Sequence, residues 1–169
     1  MKLNSILLAA GCGLFFLASC QSPKDQIVRK WQVSSYSSPA ADSMYQLQLE
    51  MYDTLSTVDS NMAMFFQTDN LDSIKAIGKR NLEEAKKQQD EMVKQITMEF
   101  RKDGYMVQEG QGRRDSIQYT VSDKQILLTM PGQEVVADTF RIEKISASDL
   151  RLKVGPEGDE SYIDLKAAQ

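Results

Sequence analysis

The sequence predicts a mainly β protein: an eight-stranded antiparallel up-and-down barrel with an α-helical hairpin inserted between strands 1 and 2. Three observations carry that expectation. From residue 95 onward apolar and polar residues alternate with a period of two, and turn signals arrive about every ten residues. One more alternating stretch stands ahead of these, within 27–36. Between them, 40–94 carries its apolar residues at spacings of three and four, as a helix does. Consecutive short strands joined by tight turns make an antiparallel meander. Eight of them can close on themselves, which removes the exposed edges of an open sheet.

Taken in order, Trp31, Val33 and Ser35 alternate with Gln32 and Ser34 in strand one, and Ser37-Ser38-Pro39 ends it. Ser38 suits a helix N-cap with Pro39 at the first helical position. Met44, Leu47, Met51, Leu55, Val58, Met62 and Phe65 then form the stripe of a first helix. A break within 53–61 is expected, because Asp, Thr, Ser, Val and Asn crowd that stretch and each sits low on the helix scale, by up to about 0.7 kcal/mol against Ala. Thr68-Asp69-Asn70 supplies a turn and a cap. Ile74, Ile77, Leu82, Ala85, Gln89, Met92 and Ile96 mark the second helix, with Glu83, Lys87 and Glu91 at four-residue separations on its other face. Ile96, Met98 and Phe100 open the β series. Asp103-Gly104 is a hairpin signal, Tyr105 to Glu109 returns, and Gly110-Gln111-Gly112 turns. Strands follow at 116–121, 125–130, 135–144, 150–154 and 161–165, separated by Ser122-Asp123-Lys124, Pro131-Gly132, Ser146 to Asp149 and Gly155 to Gly158.

These residues carry a resemblance. Arg29-Lys30-Trp31 looks like the Gly-x-Trp start of lipocalins, with Arg29 at the glycine's place. Phe100-x-x-Asp103-Gly104-Tyr105, Tyr119-x-Val121-x-Asp123 and Ile142-x-Lys144-Ile145-Ser146-x-x-Asp149-Leu150-x-Leu152 are similar to small lipocalin-like lipoproteins of Bacteroidetes. The resemblance covers strand one and 95–165, not the helical insertion. It implies a lipocalin-like barrel able to hold a small apolar ligand.

The N-terminus resembles a bacterial lipoprotein signal peptide: Lys2, an apolar run from Ile6 to Leu17, then Leu17-Ala18-Ser19-Cys20 as a lipobox cleaved before Cys20. A bilayer span needs about 20 apolar residues, and this run is shorter. The expected organisation is a signal peptide at 1–19, a lipidated polar tether at 20–26, and one lipocalin-like domain at 27–169 with its helical insertion at about 40–94. Cys20 is the expected lipidation site, since more than one acyl chain makes anchoring stable where one is marginal. Gln21 directly after the cysteine resembles lipoproteins sent to the outer membrane. The expectation is lipid anchoring there, on the periplasmic face or at the cell surface.

Composition narrows the chemistry. The net charge is −4, and the signal takes away one positive group, so no basic stripe for nucleic acid is expected. There is no histidine, which removes the commonest general base and transition-metal ligand. Of two cysteines, Cys12 leaves with the signal and Cys20 is acylated. The acidic clusters Asp69/Asp72, Glu83/Glu84, Asp90/Glu91 and Glu157/Asp159/Glu160 do not follow a calcium-loop pattern, and no serine sits in a nucleophile elbow. Hence no catalytic residue, metal ligand set or cofactor is expected, and the protein reads as a non-enzyme.

Two binding surfaces stand out. Trp31, Phe100, Tyr105, Tyr119, Phe140, Leu150 and Leu152 are expected to point into the barrel, either lining a ligand cavity or filling the interior themselves. Met44, Met51, Met62, Met64 and Met92 enrich the helices, either as the seam between them or as an adaptable surface for an envelope protein partner. Helices of twenty-odd residues span about 30–35 Å, against about 20 Å for a six-residue strand, so they should overhang the barrel. The two functional expectations are a small hydrophobic ligand inside the barrel, or a protein partner docked on the insertion.

Overall fold

The computed structural model describes residues 22–129 and 136–168, the side chains of Val136 and Ala137 excepted. The signal peptide, Cys20, Gln21 and the Pro131-Gly132 turn lie outside the described residues. Eight strands form a closed, all-antiparallel barrel: β1 (Lys30–Ser37), β2 (Thr97–Phe100), β3 (Tyr105–Gly110), β4 (Arg113–Val121), β5 (Gln125–Thr129), β6 (Val136–Ile145), β7 (Asp149–Val154) and β8 (Ser161–Ala167). Each pairs with the next, and β8 closes on β1 with Val33 opposite Leu165. Among the described residues four helices accompany them: α1 (Pro23–Ile27) before β1, then α2 (Pro39–Thr54), α3 (Ser60–Phe66) and α4 (Leu71–Val93) between β1 and β2.

Local chemistry sets the boundaries. Ser38, Asp59 and Asn70 cap α2, α3 and α4, accepting from the N–H of Ala41 (3.3 Å), Met62 (2.8 Å) and Ser73 (2.8 Å). The break expected within 53–61 separates α2 from α3, and Gln67 ends α3 in the left-handed conformation (φ 54°). Gly104 (φ 83°) makes the β2–β3 turn, where the Tyr105 N–H donates to Asp103 Oδ1 (3.1 Å).

Three local expectations change. The segment read as a polar tether is helical from Pro23 to Ile27: Ser22 caps it, Pro23 takes the first position, and Ile27 is fully buried. The strand expected at 116–121 begins earlier, so that Arg113 and Arg114 lie in β4. Gln111 (φ 51°) and Gly112 (φ 74°) make a two-residue turn that sets Gly110 directly opposite Arg113, and Arg114 Nε pairs with Glu109 Oε1 across the strands (3.2 Å). In β1 a bulge at Ser34 breaks the alternation, so Ser35 stands opposite Asp164 on the outside, its Oγ 3.0 Å from Asp164 Oδ2.

Candidate functional site

The barrel interior comes first. Trp31, Phe100, Tyr119, Phe140, Leu150 and Leu152 all lie in one apolar cluster with Ile27, Val33, Met98, Met106, Ile126, Leu128 and Leu165. The packing is specific. Phe100 and Tyr119 meet edge to face, their ring centroids 5.1 Å apart. Tyr119 donates its hydroxyl to the Arg101 carbonyl (2.7 Å), and burial followed by the nearby Asp103 carboxylate pushes that phenol above its ordinary pKa. Trp31 donates its indole N–H to the Ile27 carbonyl (2.9 Å), which staples α1 across the end of the barrel where β1 begins. The interior is therefore occupied by the protein's own side chains, as eight-stranded barrels allow.

Tyr105 is the exception among the seven. It lies opposite Gln118, the residue before inward-facing Tyr119, so it points outward. Gln118 Nε2 donates to its hydroxyl at 3.0 Å. Met106 takes the inward place instead. The alternation Phe100-x-x-Asp103-Gly104-Tyr105 spans a turn, and a turn resets the phase between two strands.

A cleft of about 790 Å³ opens at the α1 end of the barrel. Val28, Tyr119 and Val121 line it together with Lys24, Asp25, Lys102, Asp103 and Gly104. Outside the barrel wall, Lys30 pairs with Glu109 (3.0 Å), and that bond holds the Glu109 carboxyl below its usual pKa, with Arg114 adding to it. These groups are solvated: Lys30 reaches from β1 past β2 to Glu109 on β3, and Arg114 joins β4 to its neighbour β3.

The helical insertion is the second surface. α4 meets the barrel along β1, where Gln32 donates from Nε2 to the Ile96 carbonyl (2.9 Å) and to that of Lys94. Farther out, α2 and α4 pack on each other. The contact is made by Gly78 of α4, buried under the ring of Tyr52, and by Tyr45, 5.7 Å from the Lys86 ammonium. Lys86 also pairs with Asp42 (3.4 Å), and Lys79 pairs with Asp53. A groove of about 290 Å³ runs between the helices, bordered by Tyr36, Tyr45, Leu82 and Val93.

Most of the methionine stripe is not the seam, although Met62 is half-buried and Met44 borders the groove between α2 and α4. Residues 45, 49 and 52 are the half-buried positions of α2, and the helix has no fully buried residue. Met44, Leu47 and Met51 stay 51–59% exposed, as do Met64 (76%) and Phe65 (78%) on α3 and Met92 (42%) on α4. Sequence spacing selected the wrong face of α2, because its buried face is built from Tyr45, Leu49 and Tyr52 at an equally good helical interval. Gly78 was the missed signal: an isolated glycine inside a long helical pattern marks a close approach.

No helix among the described residues is long and apolar enough to cross a membrane. No family model matches the chain, and no curated protein matches it. The chain is similar to a solved structure of a DUF4847 family protein from Bacteroides vulgatus, at 12% identity and a TM-score of 0.41, over 85% of this chain and 94% of that one.

Proposed function

We propose that the protein is a non-catalytic, lipid-anchored envelope lipoprotein of lipocalin-like type, whose filled barrel is a scaffold that presents its helical insertion to a protein partner. The observation that carries this reading is the contrast between the two apolar surfaces. The barrel residues are packed on one another, whereas Met44, Leu47, Met51, Met64 and Phe65 face solvent on two consecutive helices. Scattered apolar residues are ordinary on a surface, but contiguous ones mark interaction sites. The lipobox at Leu17 to Cys20 supports anchoring. α1 and the start of β1 then stand beside the anchor, and the insertion leaves β1 at its other end, after Ser37. Anchoring at Cys20 would hold the helices on the far side of the barrel's first strand.

The test places a photo-crosslinking residue at Leu47 in one cell line and at Phe65 in another, each in the native host. Cross-linked products from both, absent when the probe sits at Gln118 on the barrel wall, support the reading. Absence of any product from both positions counts against it. For the anchor, Cys20→Ala should move the protein from the membrane to the soluble fraction, and unchanged fractionation would refute it.

A second reading rests on the α1-end cleft, whose volume of about 790 Å³ falls in the range of small-molecule sites, roughly 300–1,000 Å³. Its apolar floor of Val28, Tyr119 and Val121 fits a small hydrophobic ligand. Native mass spectrometry of protein from its own host separates the two: a copurifying lipid-sized mass lost in Val121→Asp supports the ligand, and a bare mass excludes it.

A further inference from the structure

The α1-end cleft is bordered by two cations and two anions: Lys24 and Asp25 of α1, and Lys102 and Asp103 of the β2–β3 turn. Their partners set them apart. Lys30, Lys79, Lys86, Lys94, Lys153 and Lys166 each pair with a carboxylate. Among the described residues neither Lys24 nor Lys102 does, and neither has another side-chain partner. The two carboxylates meet local neutral donors: Asp25 accepts from the Ser22 hydroxyl (2.7 Å), and Asp103 from the Tyr105 N–H (3.1 Å). Four charges thus border one cleft without closing an ion pair across it. The floor beneath them is apolar at Val28 and Val121, and Tyr119 contributes its ring there, since its hydroxyl is committed to the Arg101 carbonyl.

A ligand that matches both features carries an anion, a cation and an apolar body in one molecule. A simple anion would set itself against Asp25 and Asp103. A bare hydrocarbon would leave all four charges unused. The position of the cleft names a source for such a molecule. Ser22 caps α1, and Cys20 lies two residues before it. An extended chain spans at most about 3.6 Å per residue, so Cys20 stands within about 7 Å of Ser22. The polar layer on each side of a bilayer is roughly 5–8 Å thick. With acyl chains on Cys20, the mouth of the cleft is held at the depth of the lipid headgroups.

From this arrangement we infer that the α1-end cleft holds a zwitterionic phospholipid of the anchoring leaflet, its phosphate on Lys24 and Lys102, its ammonium on Asp25 and Asp103, and one acyl chain turned onto Val28 and Val121. The inference rests on the anchor and on the cleft reading above, and names the ligand. Lysine serves as a point charge for phosphate, and basic groups at the membrane surface recognise lipid headgroups in this way.

The experiment takes the lipidated protein from host membranes in mild detergent, offers it equal amounts of phosphatidylcholine and phosphatidylglycerol, and weighs the complexes by native mass spectrometry. One phosphatidylcholine should stay bound. Lys24→Gln combined with Lys102→Gln should weaken it about tenfold or more. Asp25→Asn combined with Asp103→Asn should hand the preference to phosphatidylglycerol, because the two lysines then face no carboxylate. Unchanged Trp31 emission checks the fold of both variants. Equal binding of the two lipids, or a phosphatidylcholine adduct that the lysine changes leave intact, overturns the inference and leaves a hydrophobic-ligand site standing. A bare mass overturns both. Glycerophosphocholine, the same headgroup without acyl chains, should be retained far less; equal retention overturns the bilayer as the source. The same spectrum weighs the acyl groups on Cys20, so an unacylated chain overturns the membrane placement and is read separately from the cleft.

Discussion

Gly78→Ala tests how the insertion is built. In an exposed helix this change stabilises by about 1 kcal/mol, since glycine gives up more backbone freedom on folding. Here the added Cβ would lie 2.3 Å from Tyr52 Cε1 and 2.5 Å from Cζ. Carbon atoms sit comfortably at about 3.5–4.0 Å, so the ring has to retreat by more than about 1 Å. It cannot retreat freely, because Tyr52 also meets Phe66 edge to face at 6.4 Å. Overpacking of this kind costs about 1–3 kcal/mol. The net expectation is a hairpin destabilised by about 0–2 kcal/mol. Replacing Tyr52 by Ala removes the obstacle, and Gly78→Ala should then stabilise by about 1 kcal/mol in that background. The sign reversal is the diagnostic, and a double-mutant cycle measures it as a coupling between the two sites. Urea unfolding followed by circular dichroism at 222 nm, with limited proteolysis of α2, reads it out. If Gly78→Ala stabilises equally in both backgrounds, α2 does not pack on α4 through Tyr52, and the assignment of its two faces is wrong.

Other consequences are read at the barrel. Trp31 is the sole tryptophan and is fully buried, so native emission should be blue-shifted and shielded from acrylamide; Trp31→Ala should cost about 3–5 kcal/mol by chemical denaturation and loosen α1. Tyr119→Phe keeps the ring against Phe100 but leaves the Arg101 carbonyl without that donor, for a loss of about 0.5–1.5 kcal/mol, seen as a fall of a few degrees in Tm. Asp149 has its carboxyl lowered from 3.8 to about 2, first by the hydrogen bond from Lys166 and then by that from Ser148. Its folded pKa is depressed, so its contribution is present in full above the unfolded value and disappears as pH falls from about 4 through about 2. Acid titration of Asp149→Asn should lack that part of the stability loss; an acid limb identical to wild type would count against the ion pair.

The barrel was legible in the sequence for a local reason. Each hairpin declares itself within about ten residues, through Asp103-Gly104, Gln111-Gly112 or Gly155 to Gly158, and alternation between turns needs no knowledge of distant partners. Phase across a turn is another matter. Tyr105 and Met106 are both good inward residues, and only the pairing of Tyr105 with Gln118 decides between them. The bulge at Ser34 is equally invisible, since it follows from how β1 meets β8, more than a hundred residues away. The polar composition of α1 reads as a tether, yet Trp31 and the barrel end give Ile27 a place to be buried. The insertion was legible as helices and illegible as faces: two apolar faces on α2 satisfy the same periodicity, and tertiary contact chooses which one is covered.

That ambiguity carries physical meaning. Burying one Met or Leu side chain contributes about 1.5–3 kcal/mol, so Met44, Leu47 and Met51 in the open represent several kcal/mol that the isolated fold does not recover. The barrel does not need them, because its own cluster is complete from Ile27 to Leu165. Nor does the hairpin, whose contacts run through Tyr45, Tyr52 and Gly78 and whose acids are paired on that same side. An exposed apolar stripe without charge, within a net acidic chain, is the feature on which the proposed docking rests, and the barrel is what holds it in place.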